Sequence, residues 1–241
     1  MFDRLSGKTA IVTGGGSGLG RGLAEALASY GVNVVITSRR MEVLQAEALR
    51  INQHLGVERV FPVVCDVSDS ASVKEAVRQA EDVLGQVDIL INNSGLAIAD
   101  LVEDCKEEDW DTVLNTNVKG TFLMSQAVLR GMLSRETGFI LNIASQAAKR
   151  GYANVASYCA SKFAILGFAD ALGKEVKDRG VRVHCLNPGL FQVPEPDSED
   201  DLNPSILQVS DVVESALFAL TRPQHVKLED QGLYNLFDAD V

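Results

Sequence analysis

The chain has few cysteines and few histidines, and neither type is clustered. Its four cysteines are far apart and form no C-x-x-C pair, and its three histidines lack H-E-x-x-H spacing. These absences argue against a disulfide framework and against a zinc or other metal site. A reducing cytoplasm is therefore the expected compartment.

Positive charge is also scarce, because 22 lysines and arginines stand against 33 aspartates and glutamates, giving a net charge of −11. Nucleic acids and anionic membrane surfaces attract basic proteins, so neither is an expected partner. No uncharged apolar stretch reaches membrane-spanning length, and the first residues lack the apolar core of a secretory signal. Small molecules and other subunits are the expected partners.

What the chain does contain is a regular alternation of short apolar runs with segments of helical periodicity. This alternation predicts a parallel sheet with helices on both faces, joined by right-handed crossovers. No linker precedes residue 190 and no internal repeat extends beyond this alternation, so we expect residues 1–241 to form one domain. The predicted strands cover residues 8–13, 32–37, 59–65, 87–91, 139–144, 181–186 and 233–237, and the predicted helices cover residues 19–30, 41–54, 70–84, 107–133, 155–177 and 210–220.

A glycine-rich turn, GGGSGLG at residues 14–20, joins the first predicted strand to the first predicted helix. Glycines let the backbone turn tightly and approach a pyrophosphate, whose charge the helix N-terminus stabilises. Although a glycine-rich turn is often only a turn, its position between a strand and a helix favours a nucleotide site.

The end of the second predicted strand carries Ser38, Arg39 and Arg40. In dinucleotide-binding folds an acidic residue at this point favours the free 2′-hydroxyl of NAD, whereas an arginine accommodates the 2′-phosphate of NADP. Ser38 stands at the acidic position and Arg39 follows it, so the sequence favours NADP(H) over NAD(H). The alternative is that both arginines are solvated residues that open the next helix.

Polar residues follow several other predicted strands. Thr13, Ser38, Asp66, Asn92 and Ser145 all stand where a strand ends. Ligands of parallel α/β sheets bind beyond the carboxyl ends of the strands. We therefore expect these residues to converge on one crevice.

Tyr158 and Lys162 are four residues apart in a predicted helix, so their side chains share one face. A nearby cation favours the phenolate form of a tyrosine, whose pKa is otherwise about 10, and such a pair can do acid–base chemistry. Taken alone, the pair is weak evidence for chemistry and is better interpreted as two solvated surface residues. Ser145 could hydrogen-bond a substrate carbonyl beside the phenol, and Asn117 could satisfy a backbone group or relieve a helix bend.

Seven motifs together resemble the short-chain dehydrogenase/reductase family. The resemblance extends from about residue 5 to residue 189 and implies a doubly wound parallel sheet of the Rossmann type. It also implies hydride transfer between a nicotinamide cofactor and an alcohol or carbonyl substrate. The motifs are T-G-x-x-x-G-x-G at residues 13–20, D-V at 66–67, N-N-x-G at 92–95, N-x-x-G at 117–120, Ser145, Y-x-x-x-K at 158–162 and N-P-G at 187–189.

The resemblance implies a role for each catalytic residue. Tyr158 would be the general acid/base, and Ser145 would hold the substrate oxygen. Lys162 would lower the pKa of Tyr158 and bind the nicotinamide ribose, while Asn117 would support a proton relay through water to Lys162.

The resemblance likewise implies a set of cofactor contacts. Asp66 would accept a hydrogen bond from the adenine, and Asn92 would line the cofactor crevice. The expected cofactor-binding residues are Gly14, Ser17, Gly18, Leu19, Gly20, Ser38, Arg39, Asp66, Val67, Asn92, Tyr158, Lys162, Pro188 and Gly189.

Two features depart from the family pattern. Members commonly carry a threonine four residues after the glycine of the P-G pair, touching the nicotinamide carboxamide, and Val193 stands there instead. Members also commonly have a longer lid and a terminal glycine pair. Here residues 190–209 form the expected substrate-side loop, in which the acidic, proline-rich residues 194–201 are expected to be exposed and solvated.

The leading prediction is an NADP-dependent oxidoreductase that interconverts a secondary alcohol and a carbonyl. A 3-oxoacyl or 3-hydroxy-acid reductase and a cofactor-binding regulatory protein with weak turnover remain as alternatives. The helices that carry Asn117 and Tyr158 are apolar over more of their circumference than one sheet face needs. Because family members commonly pair through these helices, we expect a homodimer or homotetramer.

Overall fold

The computed structural model describes residues 4–193, 203–228 and 230–236. Within this part of the chain, seven parallel strands form one sheet in the order β3-β2-β1-β4-β5-β6-β9. The elements, in chain order, are β1 (Thr9–Thr13), α1 (Gly18–Ser29), β2 (Asn33–Ser38), α2 (Met41–Leu55), β3 (Val60–Val64), α3 (Ser70–Leu84), β4 (Ile89–Asn92), α4 (Glu107–Leu114), α5 (Gly120–Ser134), β5 (Gly138–Ile143), α6 (Ala156–Val176), β6 (Val181–Pro188), β7 (Phe191–Gln192), β8 (Leu207–Gln208), α7 (Val209–Leu220) and β9 (Gln231–Leu233).

Both faces of the sheet are covered by helices, which confirms the predicted doubly wound α/β fold. Successive side chains of a strand point to opposite faces. In β1, Val12 packs into a core shared with α1, α2 and α7, while its neighbour Ile11 packs into a core shared with α3, α5 and α6. Strands buried on both faces have continuous apolar sequences, which is why the sequence alone predicts β1 and β5.

The strand order reverses between β1 and β4, which are neighbours in the sheet. The crossovers diverge at such a point and leave a crevice beyond the carboxyl ends of the strands. The turn between β1 and α1 borders this crevice and is packed tightly, because a Cβ atom at Gly20 would lie 2.2 Å from the carbonyl oxygen of Gly14. Glycine is therefore required at this position for α1 to begin so close to β1.

The predicted helix at residues 107–133 is interrupted. The chain forms α4, then a π-helical turn at Asn115–Lys119, and then α5. Asn117 lies in this π-helical turn, where the hydrogen-bond pattern of the helix is widened. The interruption follows from hydrogen bonds between the side chain of Asn117 and residues outside this helix. Apolar periodicity in the sequence carries no information about such contacts.

The predicted bounds of the last strand, residues 233–237, lie too far toward the C-terminus. Strand β9 is Gln231–Leu233, and residue 237 lies outside the described residues. Its pairing with the carboxyl end of β6, where Asn187 is the partner of Gly232, decides which residues are extended. A three-residue strand carries too little pattern for its ends to be read from sequence.

The expected substrate-side loop, residues 190–209, contains regular structure at both ends. Strands β7 and β8 pair in parallel as a separate two-stranded sheet, and α7 begins at Val209. Residues 194–201, for which a solvated acidic loop was predicted, lie outside the described residues. No helix among the described ranges has the length and hydrophobicity needed to cross a membrane.

Candidate active site

Two adjoining cavities lie beyond the carboxyl ends of the strands. The first, here called the glycine-turn cavity, has a volume of about 400 Å³, and the second, the tyrosine cavity, has a volume of about 270 Å³. Together they form one continuous crevice, because they share lining residues. The shared residues are Leu19, Asn93, Gly95, Leu96 and Phe191.

The glycine-turn cavity collects most of the predicted cofactor residues. It is lined by Gly14, Ser17, Gly18, Leu19, Ser38, Arg39, Asp66 and Val67, and also by Cys65, Asn93, Ser94, Gly95, Leu96, Thr116, Phe191 and Val193. Helix α1 begins at this cavity with no side-chain hydrogen bond from its N-cap, Ser17, and no acidic residue in its first turn. The partial positive charge of this helix end is thus not neutralised by the chain's own side chains, and it suits an anion such as a pyrophosphate.

The loop after β4 is tied to the end of β1 by Thr13. The Thr13 hydroxyl oxygen accepts hydrogen bonds of 2.9 Å from the backbone N–H groups of Asn93 and Ser94. The side-chain amide of Asn93 donates to the carbonyl oxygen of Thr13 at 2.9 Å. These bonds hold residues 93–95 in the wall between the two cavities.

The predicted role of Asn92 does not match its position, because Asn92 lines neither cavity. Its side-chain amide is buried and donates to the hydroxyl of Ser125 and to Oδ1 of Asn142. Asn92 is the last residue of β4, and its side chain lies on the face of the sheet that α5 covers, since Ser125 belongs to α5. Asn93 follows the strand. The residue lining the crevice is therefore Asn93, and the N-N-x-G motif was the signal that contained it.

At the far end of the glycine-turn cavity, Asp66 is held as a carboxylate. Hydrogen bonds from the hydroxyl and the backbone N–H of Ser68 are the main reason that the pKa of Asp66 is lowered, and the charges of Arg39 and Lys119 lower it further. Burial opposes this lowering. Arg39 lines the cavity, whereas the adjacent Arg40 is not among its lining residues.

The tyrosine cavity brings together six predicted catalytic and cofactor residues with the loop after β4. It is lined by Leu19, Asn93, Gly95, Leu96, Ala97, Ile143, Ala144, Ser145, Tyr158, Lys162, Pro188, Gly189 and Phe191. Ser145 directly follows the buried strand β5, and Tyr158 lies in the first turn of α6. The sheet order places β4, β5 and β6 side by side, so Leu96, Ser145 and Gly189, which are far apart in the chain, meet in this cavity.

The environment of Tyr158 differs from the expectation that Lys162 would lower its pKa. The pKa of Tyr158 is raised, chiefly because burial penalises the phenolate, while a hydrogen bond with Ser145 partly opposes this rise. The ammonium of Lys162 lies 5.4 Å from the centroid of the Tyr158 ring and is not among the groups that shift the pKa. At neutral pH the phenol is therefore protonated.

Lys162 is buried, and its ammonium donates a hydrogen bond of 2.8 Å to the carbonyl oxygen of Ile143 at the end of β5. Burial lowers the pKa of Lys162 to about 8, and the nearby thiol of Cys185 counteracts part of this effect. The charge on this side chain is consequently sensitive to pH near neutrality.

Asn117 is fully buried and does not line either cavity, but its side chain links three segments around them. Its Oδ1 accepts from the backbone N–H of Leu96, and its Nδ2 donates to the carbonyl oxygen of Leu96 and to the hydroxyl of Ser161, all at 2.9 Å. Ser161 in turn donates to the carbonyl oxygen of Tyr158 at 2.7 Å. The π-helical turn thereby fixes Leu96 and the first turn of α6 relative to each other.

Several crevice residues were not predicted from the sequence. Phe191 lines both cavities, and Val193 and Thr116 line the glycine-turn cavity. For Val193, the sequence indicates only that the threonine common in the family is absent. No group of three or more histidine, cysteine, aspartate or glutamate side chains is arranged to hold a metal ion within the described ranges.

Fold and site together define a dinucleotide-binding α/β oxidoreductase with a tyrosine–lysine centre. A family model described as short chain dehydrogenase matches residues 8–201 of the chain. The chain therefore belongs to the short-chain dehydrogenase family. The nicotinamide cofactor of this family fits the residues present, because the glycine turn, the uncapped start of α1 and the tyrosine centre border one crevice.

Relatives of known sequence agree with this assignment. An uncharacterized oxidoreductase of Staphylococcus saprophyticus is 36% identical over 228 residues, covering 94% of this chain and 96% of the relative. A D-threitol dehydrogenase of Mycolicibacterium smegmatis is 41% identical over 188 residues, covering 78% of this chain and 72% of the relative.

Solved structures of similar fold include two with nicotinamide cofactors. An alcohol dehydrogenase from the archaeon Thermococcus sibiricus, complexed with 5-hydroxy-NADP, has a TM-score of 0.86 and 26% identity, covering 96% of this chain and 97% of that one. A variant of the actinorhodin polyketide ketoreductase with NADPH has a TM-score of 0.86 and 29% identity, covering 95% of this chain and 96% of that one.

Proposed function

We propose that this protein is an NADP(H)-dependent oxidoreductase that interconverts a secondary alcohol and a carbonyl compound, with Tyr158 as the general acid/base. The observation that carries the proposal is the continuity of the crevice. Ser145, Tyr158 and Lys162 line one end of it, and the glycine turn with the free start of α1 lines the other.

The protein's side chains handle the proton in this proposal. When bound, the nicotinamide supplies or accepts the hydride. The hydroxyl of Ser145 orients the substrate oxygen beside Tyr158, which donates a proton to that oxygen during reduction and accepts it during oxidation. The raised pKa of Tyr158 supports the reduction, because it keeps the phenol in the proton-donating form.

Lys162 and Asn117 support the phenol in different ways. The Lys162 ammonium is fixed by its hydrogen bond to the carbonyl oxygen of Ile143 and lies 5.4 Å from the centroid of the Tyr158 ring. We also propose that Lys162 binds the nicotinamide ribose and that Asn117 supports proton transfer to it through water. The bonds from Asn117 to Leu96 and Ser161 hold the loop and the helix between which such water would lie.

The cofactor preference rests on the end of β2. Arg39 supplies the positive charge for a 2′-phosphate, and Ser38 leaves the position free of the acidic residue that would select a 2′-hydroxyl. The two solved structures described above contain 5-hydroxy-NADP and NADPH, which is consistent with this choice. Homo-oligomeric assembly through α5 and α6 is likewise proposed, and the cytoplasmic location stays a prediction.

The proposal predicts that Tyr158→Phe loses activity without unfolding. The parent protein with NADPH should reduce at least one ketone or aldehyde in a panel, followed by loss of reduced-cofactor absorbance. Removing the proton donor should lower kcat/KM by about 10³-fold, within the usual range for general acid–base catalysis. The melting temperature should change by no more than a few degrees.

A matched control is Tyr30→Phe, which alters a tyrosine at the end of α1 and should keep full activity. Full activity in Tyr158→Phe would exclude the mechanism. If the parent binds NADPH but reduces nothing in a broad panel, the regulatory-protein alternative is favoured instead.

The cofactor preference predicts that Arg39→Ala selectively weakens NADPH binding. The 2′-phosphate would lose a charge-assisted contact, so the Kd for NADPH should rise about tenfold or more, while the Kd for NADH changes little. Fluorescence titration of both reduced cofactors measures this. Arg40→Ala is the control, because Arg40 does not line the cavity, and an equal loss in both variants would contradict the assignment.

A further inference from the structure

The side chain of Asn235, near the C-terminus, connects the two ends of the substrate-side segment. Its Nδ2 donates a hydrogen bond of 2.9 Å to the carbonyl oxygen of Leu190, just before β7. Its Oδ1 accepts a hydrogen bond of 2.5 Å from the backbone N–H of Leu207, the first residue of β8. One side-chain amide thus links the residue before β7 to the first residue of β8.

The segment that Asn235 holds forms a wall of the cofactor crevice. Phe191 lines both cavities, and Val193 lines the glycine-turn cavity. The methyl groups of Val193 lie 3.8 Å from the point that a Cβ atom of Gly18 would occupy, so this side chain lies over the glycine turn. The position of residues 191 and 193 therefore decides how closely the crevice fits its occupant.

Two further contacts support the same arrangement. The backbone N–H of Gly189 donates to the carbonyl oxygen of Leu233 in β9 at 2.7 Å. On the other side, the backbone N–H of Asn203 donates to Oε1 of Gln192 at 2.8 Å. Strand β9 and Asn235 together therefore set the path of residues 189–193.

We propose that Asn235 is a positioning residue that holds residues 190–193 against the crevice, so that the C-terminal segment contributes to the affinity for the nucleotide cofactor. This inference rests on the proposed function, since it takes NADP(H) as the occupant of the crevice.

The two hydrogen bonds of Asn235 depend on its side-chain amide, which has both a donor and an acceptor. Asparagine offers a donor and an acceptor on a short side chain, whereas aspartate offers only acceptors and leucine offers neither. Asn235→Leu should remove both bonds, and Asn235→Asp should keep the bond from Leu207 while losing the donor to Leu190. The two variants separate the contributions of the two ends.

The first measurement is backbone hydrogen exchange of the cofactor-free protein, which needs no enzymatic activity. In Asn235→Leu, the amides of residues 191–193 and 207 should exchange about tenfold faster than in the parent. In Asn235→Asp, the amide of Leu207 should stay protected while those of residues 191–193 exchange faster. The melting temperature should be nearly unchanged, because Asn235 is only partly buried at the protein surface.

The second measurement is the Kd for NADPH by fluorescence titration. Asn235→Leu should raise the Kd about five- to tenfold, and Asn235→Asp should raise it to a smaller extent. The matched control is Asn203→Ala, which removes a side-chain bond to Ser205 within the same segment but no bond between its two ends. This variant should match the parent in both measurements.

The outcomes distinguish the inference from the proposed function. If the parent binds NADPH and Asn235→Leu binds it equally well, the inference is overturned and the proposed function is untouched. Equal changes in Asn203→Ala would also overturn it, because the effect would then be a general loosening of the segment. A parent that binds neither NADPH nor NADH would overturn the proposed function and the inference together.

Discussion

Burial of Lys162 disfavours the charged form of its side chain. Its pKa is lowered from its ordinary value of 10.5 to about 8 by burial, although it makes a good hydrogen bond to Ile143. Such a cost is typical of functional sites, where a charge is kept for chemistry rather than for stability. The spacing of Tyr158 and Lys162 predicted that they share a helix face, but it carried no information on burial, which decides the direction of both pKa shifts.

This environment predicts a pH-dependent stability difference between the parent and Lys162→Met. Between pH 8 and 10.5 the unfolded chain retains the Lys162 proton and the folded chain does not, so the parent gains stability as the pH rises through this window. Relative to the methionine variant, the parent should gain up to about 3 kcal/mol across it, since each pKa unit corresponds to about 1.4 kcal/mol.

Urea unfolding of both proteins at intervals between pH 7 and 10.5 measures this difference. Lys74→Met on α3 is the control, because Lys74 is exposed and its removal should leave the pH dependence of the parent unchanged. A constant difference between the parent and Lys162→Met over the whole range would show that Lys162 keeps its proton in the folded state as long as in the unfolded chain, so that burial does not lower its pKa.

Asn92 and Asn93 show a second limit of prediction from sequence at the level of single residues. The sequence placed an asparagine at the end of β4 and associated it with the crevice, but the strand continues through Asn92, whose side chain is buried against Ser125 and Asn142. The residue after the strand, Asn93, reaches the crevice instead. Because side chains alternate along a strand, an error of one residue in its end exchanges a buried side chain for a lining one.

Among the elements, those with strong local patterns were predicted well. Helix α3 has its predicted bounds, Ser70–Leu84, because its apolar face is regular and Asp69 caps it by accepting from the backbone N–H groups of Ala71 and Ser72. The ends of β1, β2 and α6 differ from prediction by one residue. Apolar periodicity and capping residues are local features, so local sequence is enough to place such elements.

The elements that depend on distant contacts were not predicted. The π-helical turn at Asn115–Lys119 is stabilised by bonds from Asn117 to Leu96 and Ser161, which are 21 and 44 positions away. Similarly, β7 exists only because it pairs with β8, which lies further along the chain. Neither partner can be identified from the segment itself, which is why these residues were expected to form a continuous helix and an irregular loop.

For the molecule as a whole, α5 and α6 leave an exposed aromatic surface. Phe122 and Phe163 are 41% and 47% exposed, and Phe122 packs edge-to-face on Phe168 with the ring centroids 6.2 Å apart. Exposed apolar clusters of this kind are typical of contact sites between proteins. They support the proposed homodimer or homotetramer, in which a second copy covers this surface.

Accordingly, Phe163→Glu should shift the protein to a smaller assembly, because a carboxylate would have to be buried in an apolar contact. Sedimentation velocity at micromolar concentration measures the change. Leu49→Glu on α2 is the control, since Leu49 is also exposed, at 58%, but lies away from this surface. A parent that sediments as a monomer at this concentration would contradict the proposed assembly.

The sequence by itself determined the family and the order of strands and helices along the chain, and it predicts the residues of the catalytic centre, because these depend on local patterns and on motifs of fixed spacing. The tertiary structure alone decided which of those residues meet. It brings Thr13 to Asn93 and Asn117 to Ser161, partly buries Tyr158, buries Lys162, and places Asn235 against Leu190. Contacts and burial of this kind arise from packing between segments far apart in the chain, which no local pattern records.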